Sequence, residues 1–109
     1  IVINTDGTMP ESASVNILKA YVQGDLLKLT VQYGGGCEKH IFTLYTNGMY
    51  MKSLPPQMSM QLHHEDNDDR CRALITETIA IDISSIRYGD KGPLIIRLQD
   101  YKETITYAY

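Results

Sequence analysis

The stretch CRALITETIAIDI, residues 71–83, carries an apolar side chain at almost every second position and decides the fold class. Successive side chains of a β-strand point to opposite faces, so this alternation predicts a long strand with one face buried. Glu77 interrupts the apolar row, and we assign no chemistry to it. The predicted inward positions are Cys71, Ala73, Ile75, Ile79, Ile81 and Ile83.

The same alternation extends upstream of this strand. Residues 14–23 and 26–33 are predicted to form two strands joined by Gly24-Asp25, a dipeptide that favours a two-residue hairpin. These strands are therefore expected to form a hairpin with one apolar face. Its predicted inward positions are Leu18, Ala20, Val22, Leu27, Leu29, Val31 and Tyr33.

Turn signals divide the rest of the chain into further short strands. Asn47-Gly48 predicts a tight hairpin between residues 40–46 and 49–52. Residues 57–64 are expected to pair with residues 71–83 as a second hairpin. The last predicted strands lie at residues 94–98 and 104–107 and are expected to pair as a terminal hairpin.

These seven or eight strands predict an all-β fold, an antiparallel two-sheet sandwich of the immunoglobulin-like kind. The chain has no Trp, so the buried tryptophan of true immunoglobulin domains is missing and the likeness is one of architecture. Residues 1–12 are polar after Ile3 and are expected to form a loose lead-in. Residues 13–109 are expected to form a single β-sandwich domain.

Charge and hydropathy exclude two classes of protein. With 10 Lys and Arg against 13 Asp and Glu, the net charge is −3 and the bases are scattered, so no nucleic-acid partner is expected. No apolar run reaches the length of a transmembrane helix. The sequence starts at Ile1 without an initiator Met, so we expect upstream residues to have been removed.

Two cysteines and two histidines form the constellation that carries the most chemistry. Cys37 precedes His40 by three positions, and Cys71 follows His64 by seven. The alternation of side chains along their strands predicts that both histidines and Cys71 point inward. The four residues are therefore expected to converge at one end of the sandwich. His63 is expected to point outward and to be an ordinary surface residue.

Three interpretations compete for these four residues. The first is a Cys37–Cys71 disulfide, which closes a loop of about 35 residues and would stabilise the fold by roughly 4 kcal/mol in the chain-entropy model. The second is a Cys2His2 site for zinc, with copper as a further alternative, because two thiolates and two imidazoles form a tetrahedral ligand set. The third makes Cys37 a nucleophile, with His40 or His64 as base and Asp69 as the orienting group. We favour the disulfide and therefore predict no catalytic residue.

Two short motifs carry a resemblance to a known family. They are Gly35-Gly36-Cys37-x-x-His40-x-Phe42 and His64-x-x-Asn67-x-Asp69-x-Cys71-x-Ala73. Over about residues 26–84 the chain resembles a family of uncharacterised bacterial proteins, many of which bear lipoprotein-type signals. The resemblance implies export, then anchoring to or release from the bacterial envelope, and a small β-rich domain of no established activity. It implies that Cys37, His40, His64 and Cys71 are motif positions of this family. It does not distinguish a disulfide from a metal site at these residues.

The sequence therefore predicts a non-enzymatic, exported β-sandwich in the periplasm or on the bacterial outer surface. Its expected role is to bind a protein or a glycan, or to support the cell envelope, and the resemblance allows a lipid anchor upstream of this chain. The alternative is a metal-binding protein that holds zinc through Cys37, His40, His64 and Cys71. No cofactor is expected outside that alternative.

Overall fold

Two β-sheets that share one core make up the structure, a computed structural model that describes residues 2–3 and 9–109. Within these residues there are eight strands, a single 3-10 turn at Ser84–Ile86 and no α-helix. The described chain contains no helix with the length and apolar character needed to cross a membrane. The strands are β1 (Val2–Ile3), β2 (Asn16–Gln23), β3 (Leu26–Gly35), β4 (Ile41–Thr46), β5 (Gln57–Glu65), β6 (Ala73–Asp82), β7 (Leu94–Leu98) and β8 (Thr104–Tyr107).

The larger sheet has the strand order β1-β4-β5-β7-β8, and the smaller sheet has the order β2-β3-β6. The predicted all-β, two-sheet sandwich is confirmed. Two pairs of strands, β1 with β4 and β5 with β7, are parallel rather than antiparallel as predicted. The parallel β5–β7 pair arises because the chain passes through β6, in the other sheet, between them. In this respect the pairing differs from that of immunoglobulin domains, whose two sheets are antiparallel.

Strand β3 supplies the centre of the core, as its alternation predicts. Its inward side chains pack in one buried cluster with those of β5 from the opposite sheet. Burying an aliphatic side chain of this size stabilises the fold by about 1.5–3 kcal/mol relative to leaving it exposed, so this contact between β3 and β5 holds the sheets together. The buried hydrophobic side chains of the two strands are Leu27, Leu29, Val31, Tyr33, Met58, Met60 and Leu62.

A β-bulge in β2 changes which residues of that strand face the core. The pairing of β2 with β3 shifts register between Ile17 and Lys19. A bulge adds one residue to its strand, so the face of the residues before it is reversed. Leu18 is consequently 51% exposed, and its predicted inward position is wrong. Ala20 and Val22 pack against the core as predicted.

The dipeptide Asn47-Gly48 does not form the predicted hairpin, because β4 pairs directly with β5. The Oδ1 atom of Asn47 accepts a hydrogen bond from the backbone N–H of Met49 at 3.0 Å. Beyond it, Tyr50 stacks on Tyr88 with ring centroids 4.6 Å apart. Residues 49–52 therefore leave the sheet, and the predicted strand there is replaced by an isolated bridge to the start of β5.

Strand β6 pairs with β3 instead of β5, so the predicted hairpin of residues 57–64 with residues 71–83 is wrong. Other strands already pair with β5, β7 along its first residues Gln57–Met60 and β4 along Met60–Glu65. The chain therefore crosses from the larger sheet to the smaller one after Glu65 and re-enters a sheet at Ala73. This crossing loop brings the functional residues of the two sheets together.

The segment before β2 runs along β5. The backbone N–H of Ala13 donates to the carbonyl of His64 at 2.9 Å, and the hydroxyl of Ser12 accepts from the N–H of His64 at 2.9 Å. Residues 1 and 4–8 of the predicted lead-in lie outside the described residues, and the boundary after residue 12 stays a prediction.

Candidate functional site

One carboxylate, that of Asp69 in the crossing loop, organises the end of the sandwich where the cysteines and histidines meet. The Asp69 side chain is fully buried, and its Oδ2 atom lies 2.7 Å from Nε2 of His40. Its Oδ1 atom accepts from the backbone N–H of Cys71 at 3.0 Å. The hydrogen bond from His40, followed by those from the backbone, holds the pKa of Asp69 well below its usual range. The remaining donors to Oδ2 are the backbone N–H groups of Gly36, Cys37 and Glu38, at 3.0, 3.2 and 3.1 Å.

The rings of His40 and His64 contact each other directly. Nδ1 of His40 lies 2.6 Å from Nε2 of His64, and Nδ1 of His64 lies 3.0 Å from the carbonyl oxygen of Ser14. A carbonyl oxygen and a carboxylate only accept hydrogen bonds, so Nδ1 of His64 and Nε2 of His40 each carry a proton. Two lone pairs 2.6 Å apart would repel, so a third proton lies between the rings. The pair therefore carries one positive charge, which Asp69 balances.

The burial of the His64 ring lowers its tendency to bind a proton. Burial lowers the pKa of His64, and Phe42 stacks on its ring with centroids 4.7 Å apart. Burial therefore favours the neutral form of the His64 ring. The ring of Tyr33 packs against the ring of His40, with the two ring centroids 4.5 Å apart. Burial and the hydrogen bond to Glu77 raise the pKa of Tyr33 to about 12.

Two glycines allow the backbone to approach this histidine cluster, which we define as His40, His64 and Asp69. A Cβ atom on Gly35 would lie 2.6 Å from Nε2 of His40 and 2.7 Å from Oδ2 of Asp69. Gly36 has a φ of +113°, a conformation that glycine adopts at little cost. The end of β3 can therefore pass directly against the His40–Asp69 pair.

The sulfur atoms of Cys37 and Cys71 lie within disulfide-bonding distance, and their Cα atoms are 5.8 Å apart. That separation is typical of native disulfides. The two cysteines and Asp69 form a group of metal-ligand atoms that all lie within 4.8 Å of one another. The histidines point their ring nitrogens elsewhere, so the four residues predicted as a zinc set form a cysteine pair and a histidine pair joined by Asp69. The zinc interpretation stays a prediction.

Asp69 has a larger role in the structure than the sequence analysis predicted. Asp69 was expected at most to orient a histidine, yet it also fixes the backbone on both sides of the cysteine pair. Its position depends on the crossing loop, where Asn67 and Asp68 adopt positive φ angles of 52° and 57°. Such angles in non-glycine residues cannot be read from alternation, although Asn and Asp adopt them more readily than most residues. The contact with Ser14 was likewise missed.

The expectation that His63 is an ordinary outward residue is wrong. Its side chain leaves the sheet on the side opposite to His64, but His63 is only 8% exposed. Its Nε2 atom donates to the carbonyl of Glu11 at 2.9 Å, and its ring meets that of Tyr45 edge-on. The segment before β2 covers the His63 side chain. The alternation of side chains along a strand gives no information about which other segment will cover an outward residue.

The opposite end of the sandwich carries exposed apolar side chains. We define the tyrosine end as Tyr50, Tyr88, Tyr107 and Tyr109 with the loops that hold them. There the Arg87 guanidinium donates to Oδ1 of Asp25 at 2.6 Å, and the Tyr107 hydroxyl donates to the same atom. These hydrogen bonds lower the pKa of Asp25. The exposed apolar residues at this end include Met49, Met51, Leu54 and Tyr88.

Comparisons with known proteins bear on the family and the fold. The family described as the NigD-like C-terminal beta sandwich domain matches residues 4–109. No match was found among the curated proteins.

Three solved structures share the fold. A NigD-like immunity protein from Bacteroides caccae has a TM-score of 0.57 and 14% identity, covering 79% of this chain and 43% of that one. A protein of unknown function from Bacteroides vulgatus has a TM-score of 0.60 and 16% identity, covering 98% and 54%. A protein from Parabacteroides distasonis described as toxin related has a TM-score of 0.58 and 17% identity, covering 87% and 50%. The present chain thus spans about half the length of these proteins.

Proposed function

The chain belongs to the NigD-like C-terminal beta sandwich domain family, and we propose that it is an exported, non-enzymatic module that binds a protein or glycan partner in a bacterial cell envelope. The observation that carries this proposal is the internal pairing of the cysteine and histidine site. Both cysteines are in bonding distance of each other, and all four ring nitrogens of His40 and His64 have partners within the fold. A Cys37–Cys71 disulfide leaves no thiolate at this site to act as a nucleophile, which favours a structural role for the histidine pair beside it.

The cysteine pair supports export. Disulfides persist in oxidising compartments and are rare where thiols are kept reduced. A Cys37–Cys71 bridge therefore favours the periplasm or the bacterial outer surface, with a lipid anchor upstream of this chain as one means of retention. In this account the bridge and the histidine cluster stabilise one end of the domain, and the rest of the surface is used for binding.

Two of the similar structures support a protein partner of the toxin type. One is called an immunity protein and the other is described as toxin related. The tyrosine end offers a surface for such a partner, because Leu54 is fully exposed there and Met49 and Met51 are 66% and 58% exposed. Exposed apolar groups of this kind are typical of interaction sites on soluble proteins.

Zinc binding is the alternative, and the group formed by Cys37, Asp69 and Cys71 is the observation that favours it. Zinc would require both cysteines as thiolates, so the two proposals exclude each other in the same molecule.

Thiol alkylation tests the proposal. Protein secreted to the periplasm of a bacterial host should resist iodoacetamide at neutral pH until a reductant is added, and should then be alkylated at both Cys37 and Cys71. Rapid alkylation of Cys37 alone in the absence of reductant would indicate an activated thiol and contradict the non-enzymatic assignment.

A further inference from the structure

We infer that a groove along the side of the sandwich binds an acidic oligosaccharide. The inference rests on the proposed function, because it names a ligand class and a surface for that module. Three adjoining cavities of about 350, 760 and 410 Å³ form the groove. The first and second share Gln61 and Gln99 in their walls, and the second and third share Leu18 and Asp100. Volumes in this range are typical of small-molecule sites.

The groove exists because β7 is shorter than β5. The pairing of these strands ends at Met60 and Leu98, and the backbone N–H of Gln99 makes one more bond to the carbonyl of Met60 at 2.9 Å. Asp100 then adopts a φ of 65° and the chain turns away from the sheet. The later part of β5 is thus left without a neighbouring strand on that side.

The segment before β2 covers the far end of this edge but leaves a gap before it. Ser12 and Ala13 bond to the backbone of His64, while β7 and Gln99 reach only as far as Met60. Backbone groups alternate sides along a strand, so the N–H and C=O of Leu62 point to the same edge as those of Met60 and His64. Among residues 2–3 and 9–109, no strand pairs with Leu62 at this edge.

The side chains around the gap suit a sugar. The amides of Gln61 and Gln99 each offer donors and an acceptor to hydroxyl groups, and Tyr45 and Tyr101 at the two ends offer aromatic rings to apolar sugar faces. An extended peptide fits less well, because a peptide that adds a strand needs several paired residues and Leu62 is a single one.

Arg97 gives the groove its preference for an acid. Its Nε atom donates to Oε1 of Gln57, which fixes the guanidinium and leaves the terminal nitrogens for a ligand. A guanidinium binds a carboxylate through two parallel hydrogen bonds. The described wall of the first cavity contains Arg97 and no carboxylate, so a uronic acid unit is expected at that end.

Isothermal titration calorimetry with trigalacturonic acid, and with maltotriose as the neutral trisaccharide, tests the inference. Trigalacturonic acid should bind the more tightly. Arg97→Ala should weaken its binding about tenfold or more, and should leave maltotriose binding unchanged. Gln61→Ala should weaken the binding of both sugars. Lys91→Ala removes an exposed positive charge at the tyrosine end and should change neither affinity.

Three results would overturn the inference. The first is that neither sugar binds at millimolar concentration. The second is that wild type and Arg97→Ala bind trigalacturonic acid with equal affinity. The third is that triglutamate binds as tightly as trigalacturonic acid and depends on Arg97, which would assign the groove to peptides. Thermal unfolding of each variant shows whether it is folded. Alkylation of Cys37 in the same samples tests the proposed function separately, since loss of sugar binding with protected thiols rejects the groove alone.

Discussion

Nδ1 of His40 lies 2.6 Å from Nε2 of His64, in the middle of a chain of hydrogen-bonded groups that runs from Asp69 to the carbonyl of Ser14. Every atom at the ends of this chain is an acceptor, so the two rings must supply all the protons. The chain joins three parts of the molecule: the crossing loop, the larger sheet and the segment before β2. We interpret it as a structural clamp at the end of the sandwich.

Nitrogen-15 NMR of the imidazole rings at neutral pH should find three protonated nitrogens on this pair of histidines. Nε2 of His64 is the expected acceptor, because burial lowers the pKa of that ring and keeps it neutral. Two neutral rings with one proton each would contradict the charge assigned to the clamp.

Acidification should destabilise the protein. Burial lowers the pKa of His64, and the hydrogen bond with His40 lowers that of Asp69. A group whose pKa is lower in the folded state stabilises the fold above its unfolded pKa, and this contribution is lost as the pH falls through the folded pKa. The free energy of unfolding in urea should therefore decrease from about pH 6.5 downward, and again below about pH 4. A value that stays constant over this range would contradict the assignment.

Asp69→Asn should destabilise the fold strongly. The amide would place its own N–H groups against some of the backbone N–H donors that now bond to the carboxylate, and would remove the negative charge beside His40. We expect the unfolding temperature to fall by about 5 °C or more. Asp68→Asn is the matched control, since the Asp68 side chain is 82% exposed and should change the unfolding temperature little.

Gly35→Ala should disrupt the clamp although it replaces none of the polar groups that form it. The added Cβ would lie 2.6 Å from Nε2 of His40, closer than Cβ atoms approach other heavy atoms in folded proteins. Such overpacking costs about 1–3 kcal/mol in the free energy of unfolding, measurable by chemical denaturation. Gly34→Ala meets nothing within 4 Å and serves as the control. Equal stability of the two variants would show that the His40–Asp69 pair has room to move.

The local pattern of the sequence predicted the strands and many of their faces. Alternation in β3 and the turn Gly24-Asp25 depend on neighbouring residues, and both are confirmed. The antiparallel pair of β7 and β8 is also present as predicted. The sheet partner of β6 was predicted wrongly, because the choice between β3 and β5 depends on which edges the rest of the chain leaves open. Leu18 was misplaced because the sequence carries no mark of the bulge beside it.

The candidate site was likewise predicted where it depends on neighbouring residues and missed where it depends on distant parts of the chain. Parity placed His40 and His64 on inward faces, and the structure brings them into contact. The central role of Asp69 was not predicted, since it depends on the course of an irregular loop and on contacts with two sheets. Cys37 and Cys71 meet because the crossing loop returns to the end of β3, a contact that spacing alone leaves open.

Intact mass spectrometry of the unreduced protein tests most directly the central claim, that Cys37 and Cys71 are bonded to each other and hold no metal. Under denaturing conditions the mass should lie about 2 Da below that of the dithiol and should rise to it on reduction, because a disulfide lacks two hydrogen atoms. Under native conditions the same sample should carry no zinc. A full dithiol mass without reductant, together with one zinc ion that is lost on denaturation, would contradict the account and favour the metal site.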